Sequence, residues 1–296
     1  MCAARPARPL NLVDSFLVDR GRLVDPAGHR ERMRSAAREL WVDRPRADGD
    51  RPGVDVDRPG ADAAVDRLYA EAAEQIAGAA RGGAPLLFPR LTLQPDAEAP
   101  SGWRGTVELR PLAPERVRTT ARLITHDGPD LRVLPRLKGP DMPWQDLCRE
   151  RAIAVGADDA VLTGPVPPGP VPTDPRVAGA AVIREAAYGT LVAWDDGVLL
   201  LSAAAARLPS ITEAALVRAV QSRGLHSERT ALTEDLLRGA DAVWLLSSLH
   251  TIREVTHLDD RALSTRPGAA QFRALIWERA EPIGALAPAE GDGRGA

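Results

Sequence analysis

Apolar and polar residues alternate in short runs through the first part of the chain, with helical stripes between them. Leu12 to Val18 and Arg22 to Val24 read as a strand pair around Asp19-Arg20-Gly21. Asp25-Pro26 has the form of an N-cap followed by proline at the first helical position. In the helix that follows, His29 to Leu40, the residues Met33, Ala37 and Leu40 share one stripe. Ala63 to Ala80 is an alanine-rich helix that stops at Gly82-Gly83. Leu86 to Leu93, Thr106 to Arg110 and Val117 to Ile124 read as strands, and Gly128-Pro129 marks a turn within His126 to Asp130. Beyond it, Pro143 opens a helix through Val155 with Gly156 as its C′ residue. Ala160 to Leu162 is a short strand. Ala181 to Trp194 is mainly extended, and Asp195-Asp196-Gly197 turns it into Val198 to Leu201. Ser210 to Arg223 is a helix whose start, Ser210 to Glu213, has capping-box spacing. Ala242 to Leu246 is a strand that runs into Ser247-Ser248.

These elements predict an α/β protein of the α+β kind, in two domains without a clean βαβ alternation. A smaller N-terminal α/β domain is expected over 1–127 and a larger C-terminal α/β domain over 131–287, with a polar disordered tail over 288–296. Residues 42–62 break the pattern. They are rich in Asp, Arg, Pro and Gly, repeat Val-Asp-Arg-Pro imperfectly, and have no apolar period, so they read as a mobile insertion. A proline-rich loop is expected over 164–175.

Composition narrows the function classes. The 296 residues are 44% hydrophobic, enough to bury a sizeable core. A formal net charge of -3 weighs against a nucleic-acid partner. No run of about 20 apolar residues is present, so no membrane span is expected, and no apolar leader follows Met1 to Arg8. The two cysteines, Cys2 and Cys148, lie far apart, which fits a reducing cytoplasm. No metal site is expected, because the sequence has no His-Glu-x-x-His and no cysteine pair at zinc spacing. Glycine-rich nucleotide loops and Gly-x-Ser-x-Gly are also missing.

One count changes the picture more than the rest. Of 38 basic residues, 37 are arginine, and Lys138 is the single lysine. A high-GC codon bias accounts for the loss of surface lysines but not for the one that stayed. Arginine supplies charge equally well, yet it cannot be deprotonated to a nucleophilic amine. Lys138 is therefore a candidate for amine chemistry such as a Schiff base.

The other candidates suit one ligand, pyridoxal phosphate, which needs an amine for its aldehyde, a carboxylate for its ring nitrogen, and cations, hydroxyls and helix-start N–H groups for its phosphate. Taken in order, five segments resemble the class IV aminotransferases, the fold-type IV pyridoxal-phosphate enzymes. These include branched-chain and D-amino-acid aminotransferases and aminodeoxychorismate lyase. The segments are His29-Arg30-Glu31-Arg32-Met33, Leu137-Lys138, Glu185, Leu208-Pro209-Ser210-Ile211-Thr212 and Ser247-Ser248-Leu249. Gly156 to Ala160 is similar to the family's Gly-x-Asp-Glu-Ala. The resemblance covers most of the chain and implies a role for each match. Lys138 is the catalytic, cofactor-holding lysine. Arg32 binds the phosphate, with the Ile211 and Thr212 amides, and Ser247 and Ser248 close the phosphate cup. Glu185 pairs with the ring nitrogen. It further implies a homodimer acting on a small-molecule amino donor and a keto acid.

Three departures bear on activity. Thr190 stands where the family has an asparagine, Glu213 replaces the arginine after Ile-Thr, and Glu254 replaces a proline. Three functions stay open: an aminotransferase, a lyase of the aminodeoxychorismate type, and a degenerate protein that binds the cofactor without turnover. Transamination needs only Lys138 for its proton transfers, whereas elimination needs an acid for the leaving group, and His250 is the one histidine beside a motif residue. Arg90 and Arg110 are candidates for reading a substrate carboxylate.

Overall fold

A computed structural model describes residues 10–42, 59–83, 86–165 and 181–288. Residues 43–58 of the expected insertion, 166–175 of the proline-rich loop and 289–296 of the tail lie outside these. The chain forms two compact units: Met1–Pro111 with Leu137–Pro140 and Glu281–Ala296, and Leu112–Arg136 with Asp141–Ala280.

The first unit opens with β1 (Leu12–Ser15), β2 (Val18–Asp19) and β3 (Arg22–Leu23). The β2–β3 turn has positive φ at both Arg20 and Gly21, the hairpin geometry that matches the strands' twist. Helix α1 (Pro26–Val42) follows, and Asp25 caps it by accepting the Gly28 amide at 2.9 Å. The expected stripe of Met33, Ala37 and Leu40 is buried. In α2 (Pro59–Arg81), Val65, Leu68, Tyr69, Ala72 and Ile76 are buried at helical spacing. Strands β4 (Leu86–Leu87), β5 (Arg90–Pro95) and β6 (Trp103–Glu108) complete two antiparallel sheets. In one, β5 lies between β1 and β6; in the other, a short strand at Glu281–Pro282 pairs β3, which pairs β2, which pairs β4.

The lysine segment is tied to this unit through its backbone. The Lys138 carbonyl accepts the Val13 amide of β1 at 2.8 Å. Gly139 then passes so close to β1 that a Cβ would sit 2.0 Å from the Asn11 carbonyl oxygen, at a φ of +133°. Only glycine fits there.

The second unit holds β7 (Thr120–Thr125), α3 (Met142–Ala154), β8 (Asp159–Gly164), β9 (Val182–Ala186), β10 (Thr190–Asp195) and β11 (Val198–Ser202). It continues through α4 (Ile211–Gln221), β12 (Ser227–Thr230), α5 (Glu234–Gly239), β13 (Ala242–Ser247), β14 (Thr251–Leu258), β15 (Arg261–Ala262) and α6 (Ala269–Glu278). One nine-stranded sheet runs β12-β11-β10-β13-β14-β7-β8-β9, with β15 on β14. β9 and β10 are neighbours in sequence but distant in this order, so the sheet curls back on itself. The Ser202 hydroxyl of β11 donates to the Ile183 carbonyl of β9 at 2.8 Å. Leu123, Val161, Ile183, Leu191, Val243 and Val255 fill its core.

Two expectations are modified by this arrangement. Ala181 to Trp194 is extended as expected, but a tight turn divides it into two strands that pair with other neighbours and not with each other. Its turn needs Gly189, where a Cβ would meet Leu245 Cδ1 at 2.6 Å and the Leu246 carbonyl oxygen at 2.9 Å. The units divide at Pro111/Leu112, not at Gly128-Pro129, because β7 pairs in parallel with both β14 and β8.

Candidate functional site

Lys138 and Arg32, far apart in sequence, meet on one carboxylate of the first unit. Asp14, in the middle of β1, is 1% exposed. Its Oδ1 accepts the Arg32 guanidinium at 2.6 Å and its own neighbour's amide, Ser15, at 2.9 Å. Lys138 Nζ lies 3.7 Å from the same oxygen. Oδ2 accepts Nδ1–H of His29 at 2.8 Å and the Tyr69 hydroxyl at 2.7 Å. Burial works against ionising Asp14, but His29, Arg32 and Lys138 outweigh it and hold the carboxyl well below the usual range. Burial pushes His29 down, so its imidazole donates as a neutral ring. For Lys138 burial is again the largest influence. Asp14 favours the ammonium, Arg32, Arg90 and Arg110 oppose it, and the amine is held at about 8. Arg110 is fixed by the Phe88 carbonyl at 2.9 Å and by the Ser15 hydroxyl at 3.3 Å. Arg90 lies opposite Ser15 in the β1–β5 register.

Glu185, on β9 of the second unit, is 4% exposed. Its Oε1 accepts the Arg132 guanidinium and the Leu208 amide, the latter at 3.0 Å. Arg132 also grips Asp130, at 2.9 Å through Nε and 2.8 Å through a terminal nitrogen, and Arg184 holds the same carboxylate at 2.8 Å. Burial raises Glu185 to about 6, against the pull of Arg132 and the Leu208 amide. The Leu208 bond links Glu185 to the segment that leads into α4.

Ile211 and Thr212 form the first turn of α4, capped by Ser210, whose hydroxyl accepts the Glu213 amide at 3.1 Å. Only that half of the expected capping box forms. Glu213 turns its carboxylate to Arg207 and Arg229, both at 2.8 Å, so the charge that departs from the family pattern is neutralised by arginine. Ser247 ends β13, and its hydroxyl accepts the His250 amide at 3.3 Å; Ser248 follows it in the turn. His250 accepts the Arg118 amide at Nδ1, 3.1 Å. Burial and the charges of Arg253, Arg149, Arg118 and Arg116 push it down to about 3.

Asp14, Tyr69 and Arg132 were not singled out from the sequence. Asp14 did carry a signal: a charged residue inside the apolar run Leu12 to Leu17 must find partners when buried. Arg132 carried none among 37 arginines.

A profile described as Amino-transferase class IV matches residues 11–258. No curated protein matches the chain. Among solved structures, a candidate 4-amino-4-deoxychorismate lyase from Legionella pneumophila is 19% identical with a TM-score of 0.69, covering 92% of this chain and 91% of that one. A branched-chain amino acid aminotransferase from T.th., complexed with N-(5'-phosphopyridoxyl)-L-glutamate, is 19% identical with a TM-score of 0.68, covering 94% and 85%. A hypothetical aminotransferase from Mycobacterium tuberculosis, in a PLP-bound form, is 22% identical with a TM-score of 0.65, covering 93% and 94%. At these identities the likeness is one of fold.

Proposed function

The chain belongs to the class IV aminotransferase family, and on that premise we propose that it is a pyridoxal-phosphate enzyme passing an amino group between an amino acid or biosynthetic amine and a keto acid. The observation that carries the reading is Lys138, the single lysine, whose amine is held at about 8 by burial and by the partly buried Arg32, Arg90 and Arg110.

The donor set fits the cofactor. A carbonyl needs an amine that sheds its proton near neutrality, and Lys138 does so. A phosphate needs cations and unpaired helix-start amides: Arg32, and Ile211 and Thr212, whose N–H groups have no partner within α4. Ser247 and Ser248 add hydroxyls, and Glu213 is drawn off by its two arginines. A pyridine nitrogen needs a carboxylate, and Glu185 uses Oε1 for Arg132 and Leu208, which leaves Oε2 for that role. When bound, pyridoxal phosphate supplies an aldehyde that captures the substrate amine and a ring that draws electrons from its Cα. Nζ of Lys138 is then the base that takes the Cα proton and the acid that returns it. A pKa near 8 lets one nitrogen serve both directions around neutral pH.

The second reading is a lyase of the aminodeoxychorismate type, supported by Ser247-Ser248-Leu249 and by the likeness to the Legionella protein. It asks for an acid to protonate a leaving group. His250 is buried, keeps Nδ1 on the Arg118 amide and stays neutral down to about 3. That makes it a poor proton donor and favours amino transfer. A homodimer is also part of the proposal. Among the described residues, the second unit exposes Leu131, Val133, Leu147, Ile153 and Val155 around α3, an apolar surface suited to self-association.

The test is direct. Purified protein is loaded with pyridoxal phosphate, reduced with borohydride and mapped by peptide mass. The adduct is expected on the Leu137-Lys138 peptide. In a separate, unreduced sample, single turnover with an active amine should leave the cofactor in its amine form until a keto acid is added. Product formed without a keto acid would make the lyase correct, and a protein that takes up no cofactor would overturn both readings.

A further inference from the structure

Asp14 sits behind both functional groups of the first unit and belongs to none of the motifs. We propose that Asp14 is the positioning residue of the amine: one buried carboxylate holds Arg32 and Lys138 on a single oxygen and is itself fixed from the other side by His29 and Tyr69.

The geometry separates two kinds of hold. Arg32 makes a tight, charge-assisted bond to Oδ1 at 2.6 Å, which fixes the guanidinium. Lys138 Nζ stands 3.7 Å from that oxygen, inside the range of ionic attraction but beyond a hydrogen bond. The amine therefore feels the charge without being locked, and it stays free to turn toward a carbonyl. Oδ2 is occupied by the His29 ring at 2.8 Å and the Tyr69 hydroxyl at 2.7 Å, from α1 and α2, so Asp14 cannot rotate to give the lysine a closer oxygen. The one Tyr69 hydroxyl proton is shared between Oδ2 and the His29 carbonyl oxygen 3.0 Å away, which braces the two helices against the carboxylate.

Charge decides what this does. The groups around the amine and its carboxylate are Asp14 from β1, Arg32 and the neutral His29 from α1, Tyr69 from α2 on the Asp14 carboxylate, Arg90 from β5, and Arg110 just after β6. Three are cations and one is an anion. Asp14 is thus the counterweight that keeps the ammonium from being expelled, while Arg32 drains part of the same carboxylate's field. Removing either partner must move the amine in opposite directions: without Asp14 it loses its attraction, and without Arg32 it loses a repulsion and gains an undivided carboxylate.

Only the functional meaning of this role rests on Lys138 being the cofactor lysine; the amine's titration does not. Because the chain has one lysine, an acylating reagent reads that amine directly in the cofactor-free protein. Protein is pulsed with acetic anhydride across a pH series, and acetylation of the Leu137-Lys138 peptide is followed by mass spectrometry. In the parent protein the midpoint is expected near 8. Asp14→Asn should lower it by about one unit or more, and Arg32→Gln should raise it by a similar amount. Simple loss of structure would send both variants up toward an ordinary lysine at 10.5. An Asp14→Asn midpoint that stays put or rises overturns the proposal. If that variant does not fold, Arg32→Gln decides: a rise short of the ordinary value, in a protein with parental circular dichroism, supports the shared carboxylate, and an unchanged midpoint overturns it. Failure of cofactor uptake with the opposed shifts intact would overturn the proposed function and leave this inference standing.

Discussion

The two units each bury an ionic cluster, and the clusters differ in balance. Around Asp14, one carboxylate faces Arg32 and Lys138, with Arg90 and Arg110 adding to the positive field. Around Glu185, two carboxylates, Glu185 and Asp130, share Arg132 and Arg184. The first cluster is buried and short of negative charge, and burial first, then the excess of cations, makes its weakest-held cation, the lysine, give up its proton easily. The second is balanced and tightly bonded, with Arg132 held protonated despite its burial. Similar ingredients leave an easily deprotonated amine in one place and a tightly bonded ion cluster in the other, and the count of opposite charges adds to burial in separating them.

The contrast breaks most visibly at the balanced cluster. Arg132→Met leaves Glu185 and Asp130 buried with their main partner gone. The expected loss is about 3–5 kcal/mol in denaturant unfolding at pH 7. Glu185 already stands at about 6 against an ordinary 4.5, and without Arg132 it rises further. The folded variant then binds a proton that the unfolded chain does not, so its deficit should shrink between pH 7 and pH 5. A loss under about 1 kcal/mol, flat with pH, would show that Arg132 is not the scaffold's keystone.

The unbalanced cluster should respond the other way. Lys138→Met removes a charge the cofactor-free fold holds at a cost, since the amine is near 8 when folded and near 10.5 when free. With the side chain still 24% exposed, a gain of about 2 kcal/mol at pH 7 is expected. That gain should fade as the pH rises from 8 to 10.5, where the parent lysine is neutral in either state. Equal stability of the two proteins at pH 7 would mean the cluster is not short of negative charge.

A smaller effect is expected at His250, beside which stand four arginines. Its folded pKa of about 3 lies below the ordinary 6.5, so its contribution is present above 6.5 and is lost as the pH falls toward 3. From pH 7 to pH 5 the parent should lose about 1–2 kcal/mol more than His250→Asn, which cannot take the proton. Matching slopes in the two proteins would refute this.

What the sequence made legible follows from range. The β2–β3 hairpin, the Asp25 cap and the Ser210 cap are local, and residues within four positions settle them. Lys138 stood out as a candidate because it is the single lysine among 38 basic residues. Arg32 was found as a motif residue, but its bond to Asp14 is a meeting of β1 with α1 that no spacing announces. Glu213 read as a misplaced charge until Arg229, sixteen residues away, supplied its partner. The placement of Lys138 with the first unit was the least legible, because it depends on one backbone bond to Val13 and the close pass of Gly139.

The same threading sets an order on synthesis. Residues 112–280, apart from the brief excursion of Leu137–Pro140, contain all of the second unit. The first unit begins earlier but needs that excursion, the strand Glu281–Pro282 on β3, and the Leu286 carbonyl that takes the Arg30 guanidinium at 2.7 Å. On a ribosome the part begun first is therefore the part finished last. The emerging N-terminal segment must wait, with one edge of β3 unpaired and Arg30 unmet, while the whole of the second unit is made. A released chain that stops at Ala280 would hold every element of the second unit and lack the last strand of the first, which should leave the first unit the more open to protease.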